Sequence, residues 1–508
     1  MKKRILQKSF IAFALLGMIT TQMNSQTSWE FTDAASGTNV WVPTNLTTTQ
    51  GKNLATYTTT GTADPEINTT ALGLTTGTDA SSDQSRRIIG ITMRISSGGP
   101  DYIRVSHPDD TNNDGSRHIT NWRVVADGKW RTYAIDMAAN ATYRSDWGSL
   151  IAEGGSGTAG TENDIKITFR TYNASDPNGD AYTTSGATVE IDRIEFVNNA
   201  WKTDVLNGTN GASNDNWGNN GNWFITPGPN TSANSALDIL IPTPNGTPVE
   251  NTNLNVNLTN TKYDEVHIGA SAKLTMLNGG KNVWPVSLIL SPGGSFAHDT
   301  GSNFSTLGTV TVKMDIPDTD WHLISSPVNV EQYDDTWISN NGIASGTGNN
   351  RGISTYNNGT PDGTTGHWRY FQASGTASDF TLGIGYSLKR TGKGLYSFVG
   401  DAFVSAATIS PSISQGASTN WNLVGSPYTA HLNAATFISD NNSILPAAGK
   451  AIYVWNGTSY VSLTTGDLAV GQAFFINNDN GASNIAFNAA SHSVDSDNSA
   501  TFYRNSST

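Results

Sequence analysis

Two copies of one phrase, a hundred residues apart, constrain the fold of this chain more than any other feature. Trp321-His-Leu-Ile-Ser-Ser-Pro-Val328 returns as Trp421-Asn-Leu-Val-Gly-Ser-Pro-Tyr428. Each copy leads to a second shared phrase, first Leu382-Gly-Ile-Gly385-Tyr and then Leu468-Ala-Val-Gly471-Gln. A unit used twice in tandem is typical of modular proteins in which similar small folds follow one another. The repeat therefore predicts two consecutive β modules, with Trp321 and Trp421 in their cores.

The composition favours an all-β protein. Gly occurs 51 times in 508 residues and only 14% of residues are charged, so strong helix formers are scarce while turn and β-branched residues are plentiful. The 14 Trp, 16 Tyr and 17 Phe are too many for an unfolded chain. Cysteine is absent, which excludes disulfides, thiolate catalysis and cysteine-ligated metals. The net charge of −13 argues against nucleic acid and anionic membranes as partners, because both bind basic surfaces.

The N-terminus predicts a signal peptide over residues 1–25, and hence a secreted protein that is extracellular or on the outer cell surface. Met1-Lys-Lys-Arg4 supplies a positive start, Ile11–Ile19 a short apolar stretch, and Ser25 a small residue at the expected cleavage site. The apolar stretch is too short for a membrane-spanning helix, and no later segment has the required length. We therefore expect no integral membrane segment in the mature chain.

Residues 26–199 show the period-two alternation of half-buried strands. Apolar rows at Ile89–Ile95, Ile103–Val105 and Ile165–Phe169 alternate with polar residues. Asp127-Gly128 is a turn signal between two further strands and predicts a hairpin. The pattern predicts a sandwich of strands in this segment.

The last strand of this segment, Val189–Phe196, breaks its alternation at Asp192-Arg193. The break predicts a β-bulge that turns Asp192 toward the interior. A carboxylate occupies such a position only when it is paired or bound to a metal.

Three phrases of the segment resemble the jelly-roll carbohydrate-binding modules of secreted polysaccharide-active proteins. They are Trp29-Glu-Phe31, Asp127-Gly-Lys-Trp-Arg-Thr-Tyr133 and Val189–Phe196. The resemblance covers residues 26–199 and implies a jelly-roll β-sandwich that binds polysaccharide. In such modules a structural calcium commonly joins an acidic residue on the first strand to an Asp on the last. The resemblance thus implies calcium at Glu30 and Asp192.

A second calcium candidate is the run Asp110-Thr-Asn-Asn-Asp-Gly115. It has the start of a calcium loop, in which the side chains of Asp110, Asn112 and Asp114 would converge on the ion. The closing Glu of an EF-hand is missing, since Asn121 stands at the twelfth position. An ordinary turn rich in Asp and Asn remains the alternative.

The remainder of the chain resembles the repeat modules of large surface proteins that Bacteroidetes export by type IX secretion. Asn216–Trp223, Asp238–Pro242 and His267–Thr275 carry the resemblance, together with the tandem Trp-x-Leu-x-x-Ser-Pro units. It implies a Trp/Asn-rich β module over 200–315 and repeat modules over 316–415 and 416–508, folded as small β-sandwiches. Such proteins end in a sorting domain, whereas this sequence stops at Thr508, so we expect either a truncated sequence or another export route.

Arginine is concentrated in the first domain, which holds ten of the 15 in the chain. Guanidinium groups bind carboxylate or sulfate bidentately, and aromatic rings stack on sugars. The polar positions of the strands and the aromatic residues near them predict the following ligand-binding residues: Arg94, Tyr102, Arg104, Trp122, Tyr143, Trp147, Lys166 and Arg170. The alternative is a solvated strand face, balanced by the 21 acidic residues of the same domain.

Catalytic motifs are scarce. The sequence contains neither His-Glu-x-x-His nor Gly-x-Ser-x-Gly, and Gly155–Gly160 matches a dinucleotide fingerprint without its βαβ setting. Three hypotheses remain: a non-catalytic binder of polysaccharide that prefers an acidic glycan; a lyase or glycoside hydrolase with its site in the jelly-roll; and a structural adhesin without specific sugar binding. We name no catalytic residue, and neither the glycan nor the oligomeric state follows from the sequence.

Overall fold

The structure is a computed structural model of the 508-residue chain. It describes residues 28–32, 40–69, 88–108, 117–137, 165–202, 222–224, 237–244, 252–254, 261–276, 282–298, 303–304, 309–402, 408–447 and 449–493. Within these residues strands dominate and only two short α-helices occur, so the prediction of an all-β sandwich protein is confirmed. No helix within these ranges is long and apolar enough to span a membrane.

The N-terminal domain is a sandwich of two antiparallel sheets. Its strands are β1 Ser28–Glu30, β2 Trp41–Thr44, β3 Leu46–Gly51, β4 Leu54–Thr60, β5 Glu66–Thr69, β6 Ile88–Ile95, β7 Tyr102–Pro108, β8 Arg117–Arg123, β9 Trp130–Asp136, β10 Lys166–Asn173, β11 Asp176–Ala181 and β12 Ser185–Val197. The inner sheet has the order β3-β4-β12-β6-β9, with β1 beside β12. The outer sheet has the order β2-β5-β10-β7-β8, with β11 beside β10.

The sandwich core contains the apolar rows that the alternation predicts. Ile91 and Met93 of the inner sheet face Ile103, Val105 and Phe169 of the outer sheet in one cluster of buried side chains. Their polar neighbours must therefore lie on the two outward faces of the sandwich. Those two faces differ in what covers them.

The middle of the chain forms a coil of parallel strands. Its strands are β13 Asn199–Ala200, β14 Leu237–Ile241, β15 Thr252–Leu254, β16 Thr261–Ile268, β17 Lys273–Met276, β18 Asn282–Leu290, β19 Ser295–His298, β20 Asn303–Phe304 and β21 Val310–Ile316. Strands β14, β16, β18 and β21 pair in parallel in one sheet, and β15, β17 and β19 pair in parallel in another. From β14 to β19 the chain visits the two sheets alternately, as in a β-solenoid.

The parallel pairing is a feature that the sequence did not indicate. Strand β29, Gly394–Ala402, adds to β21 in antiparallel fashion, and β23, Val328–Asn329, adds to β29. The sheet thus crosses the boundary that the sequence analysis placed between residues 315 and 316.

Each repeat folds as a four-stranded sheet with one short helix. The first repeat contains β22 His322–Ile324, β24 Gln332–Tyr333, α1 Asp335–Asn340, β25 Asn350–Tyr356, β26 Trp368–Gln372, β27 Ser378–Asp379 and β28 Tyr386–Leu388. The second contains β30 Trp421–Gly425, β31 His431–Asn433, α2 Ala434–Asp440, β32 Ile452–Trp455, β33 Tyr460–Leu463, β34 Asp467–Leu468, β35 Ala473–Asn477, a 3-10 turn Ala489–Ser491 and β36 His492–Ser493. The sheets have matching orders, β22-β28-β25-β26 and β30-β35-β32-β33.

The caps of the two helices repeat as well. Asp334 accepts a hydrogen bond from the Trp337 amide at the start of α1, and Asn433 caps α2 in the same way. Asn341 and Asn441 follow the two helices as C-caps. Repeated phrases therefore correspond to repeated structure.

Trp321 and Trp421 are not core residues, and that prediction is wrong. Both are half-buried, with ring centroids 5.8 Å from Tyr370 and 4.8 Å from Tyr453 respectively. Trp421 packs at the edge of the apolar cluster that Leu323 and Leu423 form between the repeats, whereas the core of the second repeat contains Phe437 of α2.

Candidate functional site

The outward face of the inner sheet is covered by the rest of the molecule. Ile88 and Ala134 pack on Leu240 of the solenoid, and Leu54 and Trp130 form a second apolar contact with residues beyond the sandwich. Gly90 lies so close to the solenoid that a Cβ there would be 2.9 Å from a methyl group of Leu240. This face therefore joins the sandwich to the solenoid and is no binding surface.

Arg94 belongs to this covered face, which corrects its assignment to a ligand site. Its Nε donates to Glu190 at 2.6 Å and its Nη1 to Asp315 of β21 at 2.8 Å, while the guanidinium lies 4.8 Å from the centre of the Trp130 ring. Burial lowers the pKa of Arg94, but the two carboxylates more than offset this and raise it. Alternation predicted that Arg94 faces away from the core. It did not predict that β6 and β7 belong to different sheets.

Glu30 and Asp192 do meet, but at the ammonium of a lysine. The register shifts between Ile191 and Arg193, which confirms the predicted bulge at Asp192. Asp192 is 1% exposed and faces the solenoid rather than the sandwich core. Lys313 Nζ, on β21, donates to Asp192 Oδ1 at 2.8 Å and also to Glu30.

Arg193 extends this contact into a buried network. Its guanidinium bonds Glu30, Glu195 and Glu265, the Glu195 contact measuring 3.0 Å. His267 contacts Glu195 through Nδ1 and Ser291 through Nε2 at 2.8 Å. Burial raises the pKa of Glu195, but the charges of His267 and Arg193 outweigh it and hold that pKa at about 2.

The pair Glu30 and Asp192 does not fit a calcium site, because a fixed ammonium lies between the two carboxylates. Within the described ranges no group of three or more His, Asp or Glu side chains could hold a metal ion. The second candidate, Asp110, Asn112 and Asp114, lies outside the described residues, as do Tyr143 and Trp147.

The outer sheet carries the remaining predicted residues on one outward face. In the register of β10 with β7, Thr168 pairs with Arg104 and Arg170 with Tyr102. Across β7, Arg104 pairs with Asn121 and Tyr102 with Arg123 of β8. Because paired residues project to the same side of a sheet, one surface results. We call it the outer face: Tyr102, Arg104, Asn121, Arg123, Lys166 and Arg170.

Trp122 is not part of the outer face, which corrects its assignment to the ligand site. It pairs with Ile103, is 5% exposed and packs in the sandwich core. The alternation of β8 therefore puts its two neighbours, Asn121 and Arg123, outward. These two were not among the predicted residues, although an inward-facing Trp122 implies that its neighbours face outward.

Strand β11 supports the outer face with its backbone. Tyr102 Oη donates to the Pro177 carbonyl at 2.7 Å, Arg104 Nη2 to that of Asn178 at 3.3 Å, and Arg170 Nη2 to that of Gly179 at 2.8 Å. Gly179 has a φ of +65°, and a Cβ there would lie 2.6 Å from the Thr171 carbonyl oxygen. Glycine is therefore required for this close approach.

The cations of the outer face differ in their carboxylate partners. Arg170 Nη1 bonds Asp64, and Lys166 Nζ lies 3.8 Å from Glu66. Arg104 forms no ion pair within the described part of the chain. Burial lowers the pKa of Arg104 and the neighbouring charge of Arg170 lowers it further, while the charges of Asp64 and Asp176 offset only part of this. Arg104 therefore holds a positive charge at an electrostatic cost.

Three buried polar atoms of the outer face lack a hydrogen-bond partner among the described residues. They are Nε of Arg104, Nε of Arg170 and Oδ1 of Asn121. Leaving such an atom unpaired costs about 1–3 kcal/mol. All three atoms are shielded from solvent, so they are not directly open to a ligand in this conformation.

Aromatic rings border these atoms. Arg123 lies 3.9 Å from the centre of the Tyr172 ring, which is 5.7 Å from the ring of Tyr102. Tyr172 is 36% exposed. The surface thus offers guanidinium groups and an accessible ring.

No known family model matches this chain, and no curated protein matches it. Among solved structures, one described as "CBM4 structure and function" aligns with 33% of this chain and 84% of its own length, at 11% sequence identity and a TM-score of 0.15. At that TM-score the similarity carries no argument about fold or ligand.

Proposed function

We propose that this chain is a secreted or cell-surface protein that binds polysaccharide without catalysis, through the outer face of its N-terminal sandwich. The observation that carries the proposal is Arg104, a half-buried cation with no carboxylate within ion-pair distance in the described ranges, on the same face as the accessible Tyr172 ring. The solenoid and the adjoining strand β29 contact the sandwich through its inner sheet and leave the outer face for the ligand.

The chemistry of this surface favours a glycan that carries uronate or sulfate. A guanidinium fork binds a carboxylate or sulfate bidentately, and the exposed Tyr172 ring offers an apolar surface to a sugar ring. The net charge of −13 does not prevent this, because repulsion between distant charges is screened beyond about 8 Å at physiological salt. A short-range ion pair at Arg104 is screened much less.

The proposed calcium ligands are Asp110, Asn112 and Asp114. Glu30 and Asp192 are not among them, because the Lys313 ammonium lies between their carboxylates. Alternate oxygen side chains followed by glycine are the ligand pattern that calcium prefers. A chelator should then lower the unfolding temperature of the wild-type chain but not that of Asp114→Ala. An equal change of unfolding temperature in the two proteins would show that these residues do not bind a stabilising calcium ion.

Retention of the mature chain on immobilised polysaccharides tests the function. We expect retention on polygalacturonate, less on neutral xylan, and no products from either. Unsaturated products or new reducing ends would instead identify a lyase or hydrolase, and absence of retention on a broad panel of acidic glycans would leave a structural adhesin. Arg104→Ala serves as the site variant, and Lys129→Ala removes an exposed charge elsewhere in the same domain as its control.

A further inference from the structure

The first repeat contains a cavity of about 280 Å³ that the proposed function does not use. It lies between β26 and the two-stranded ribbon of β24 and β27, where the core of the repeat opens to solvent. Tyr333, Ile353, Phe371 and Tyr386 form its apolar part. Hydroxyl and amide side chains form its polar part: Ser354, Thr355, Gln372, Thr376 and Ser378.

The apolar part is held rigidly by aromatic contacts. The ring of Tyr333 packs edge-on against Phe371 at 5.5 Å, Phe380 at 4.9 Å and Tyr386 at 5.7 Å. Such edge-to-face arrangements are the favoured geometry of aromatic pairs. The cavity therefore has fixed walls before any ligand arrives.

The cavity presents no free charge to a ligand. Arg369 is the charged residue of its lining, and its guanidinium donates to the carbonyl oxygens of Gly366 at 2.8 Å and Thr360 at 3.1 Å. Burial raises the pKa of Tyr386 to about 12 and also raises that of Tyr333, so both phenols stay neutral. An uncharged ligand fits this environment, because a charged one would lose its hydration without gaining an ion pair.

We propose that this cavity binds a single neutral sugar residue, at the end or a branch of a glycan. Its volume of about 280 Å³ lies just below the usual range of ligand pockets, roughly 300–1,000 Å³, which is room for one small ring. A sugar ring has apolar C–H faces and a rim of hydroxyls, matching the aromatic floor and the exposed polar side chains of Gln372 and Thr376, whereas the buried Ser354 hydroxyl is already bonded to Ser387. The site lies in a different domain from Arg104 and does not depend on it.

Saturation-transfer NMR on the full mature chain, with methyl glycosides of glucose, galactose, mannose and xylose, tests the proposal. At about 10 mM these probes report even millimolar affinity. We expect saturation of at least one glycoside, lost at least tenfold in Thr376→Trp, whose exposed position lets an indole fill the cavity. Ala377→Trp places the same indole at an adjacent exposed residue that does not line the cavity and should keep the signal.

The remaining variants separate this site from the outer face. Arg104→Ala should keep the glycoside saturation even if it loses binding to polygalacturonate. Thr376→Ala should weaken the glycoside saturation less than Thr376→Trp. Circular dichroism confirms that each variant is folded. No saturation by any of the four glycosides, equal saturation in Thr376→Trp, or stronger saturation of benzyl alcohol as an apolar probe would each overturn the proposal.

Discussion

Ser325 and Gly425, which hold the same position in the two repeats, face each other across the contact between them. A Cβ on Gly425 would lie 2.5 Å from Ser325 Oγ. The amide of Ser325 donates to the Gly471 carbonyl at 2.8 Å, and the amide of Gly425 donates to that of Gly383 at 3.1 Å. The repeats thus pack on each other through the same pair of segments, with an offset of two residues, because the counterpart of Gly471 is Gly385 and not Gly383. Where equivalent positions meet, only one of them has room for a side chain.

This contact predicts the effect of a second side chain. Gly425→Ser should destabilise the repeats by about 1–3 kcal/mol, the usual cost of overpacking, and Ser325→Gly in the same chain should restore most of that loss. Denaturant unfolding followed by tryptophan fluorescence measures both. Gly363→Ser is the control, since a Cβ at Gly363 meets nothing within 4 Å. A double variant no more stable than Gly425→Ser would contradict this packing.

Lys313 should be essential for the attachment of the sandwich to the solenoid. Lys313→Met leaves the buried carboxylate of Asp192 without its cation, while Glu30 keeps Arg193, and breaking a buried ion pair in this way costs about 3–5 kcal/mol. Calorimetry should show a clear fall in unfolding temperature. Lys129→Met, on the surface of the same sandwich, should change it little. Equal effects of the two substitutions on the unfolding temperature would mean that Lys313 does not stabilise the contact between the sandwich and the solenoid.

Ionisation of the Glu331 carboxyl group should lower the stability of the folded state as the pH rises toward neutrality. Burial raises its pKa from 4.5 to about 7, and the charge of Asp334 adds to the rise, while the bonds from the Val399 and Gln332 amides oppose it. Because the folded pKa lies above the unfolded one, the folded state is favoured below pH 4.5, and this contribution is lost as the pH rises through 7. Glu331→Gln should therefore unfold at a higher temperature than wild type at pH 8 but not at pH 4. Parallel pH profiles of the two proteins would refute this.

Removal of Asp64 should strengthen binding of an acidic glycan, because Asp64 occupies one end of the Arg170 guanidinium. Asp64→Asn removes the charge and keeps a side chain that tolerates the positive φ of +54° at this position. We expect several-fold tighter binding to polygalacturonate by affinity electrophoresis and no change with xylan. Asp318→Asn, a loss of the same charge in the first repeat, is the matched control. Unchanged or weaker binding in Asp64→Asn would mean that Arg170 does not contact the glycan.

The sequence predicted which residues of a strand point away from the core, but not which sheet receives the strand. Arg94 and Arg104 follow the same alternation, yet one lies at a domain contact and the other on the outer face. The bulge at Asp192 was visible as a break in the pattern of its own strand. Its partner Lys313 is 121 residues away and carries no local signal.

The solenoid could not be predicted for a related reason. A short apolar run such as Leu237–Ile241 is compatible with a parallel or an antiparallel neighbour, and only the pairing partner distinguishes the two. The cavity beside Tyr333 likewise depends on distant segments, since its walls come from β24, β25, β26 and β28. Repeats, alternation and composition give the class of a fold, whereas contacts between modules need the structure.

The most direct test of the central claim is the affinity of Arg104→Ala for polygalacturonate, measured by isothermal titration calorimetry beside wild type and Lys129→Ala. A hydrogen bond to a charged group contributes roughly 1.5–3 kcal/mol, so we expect the dissociation constant of Arg104→Ala to rise about 10- to 100-fold. Lys129→Ala should stay within about twofold of wild type, since an exposed charge contributes little. Equal affinity of Arg104→Ala and wild type, or equal affinity of wild type for polygalacturonate and neutral xylan, would contradict the assignment of the outer face as the glycan-binding surface.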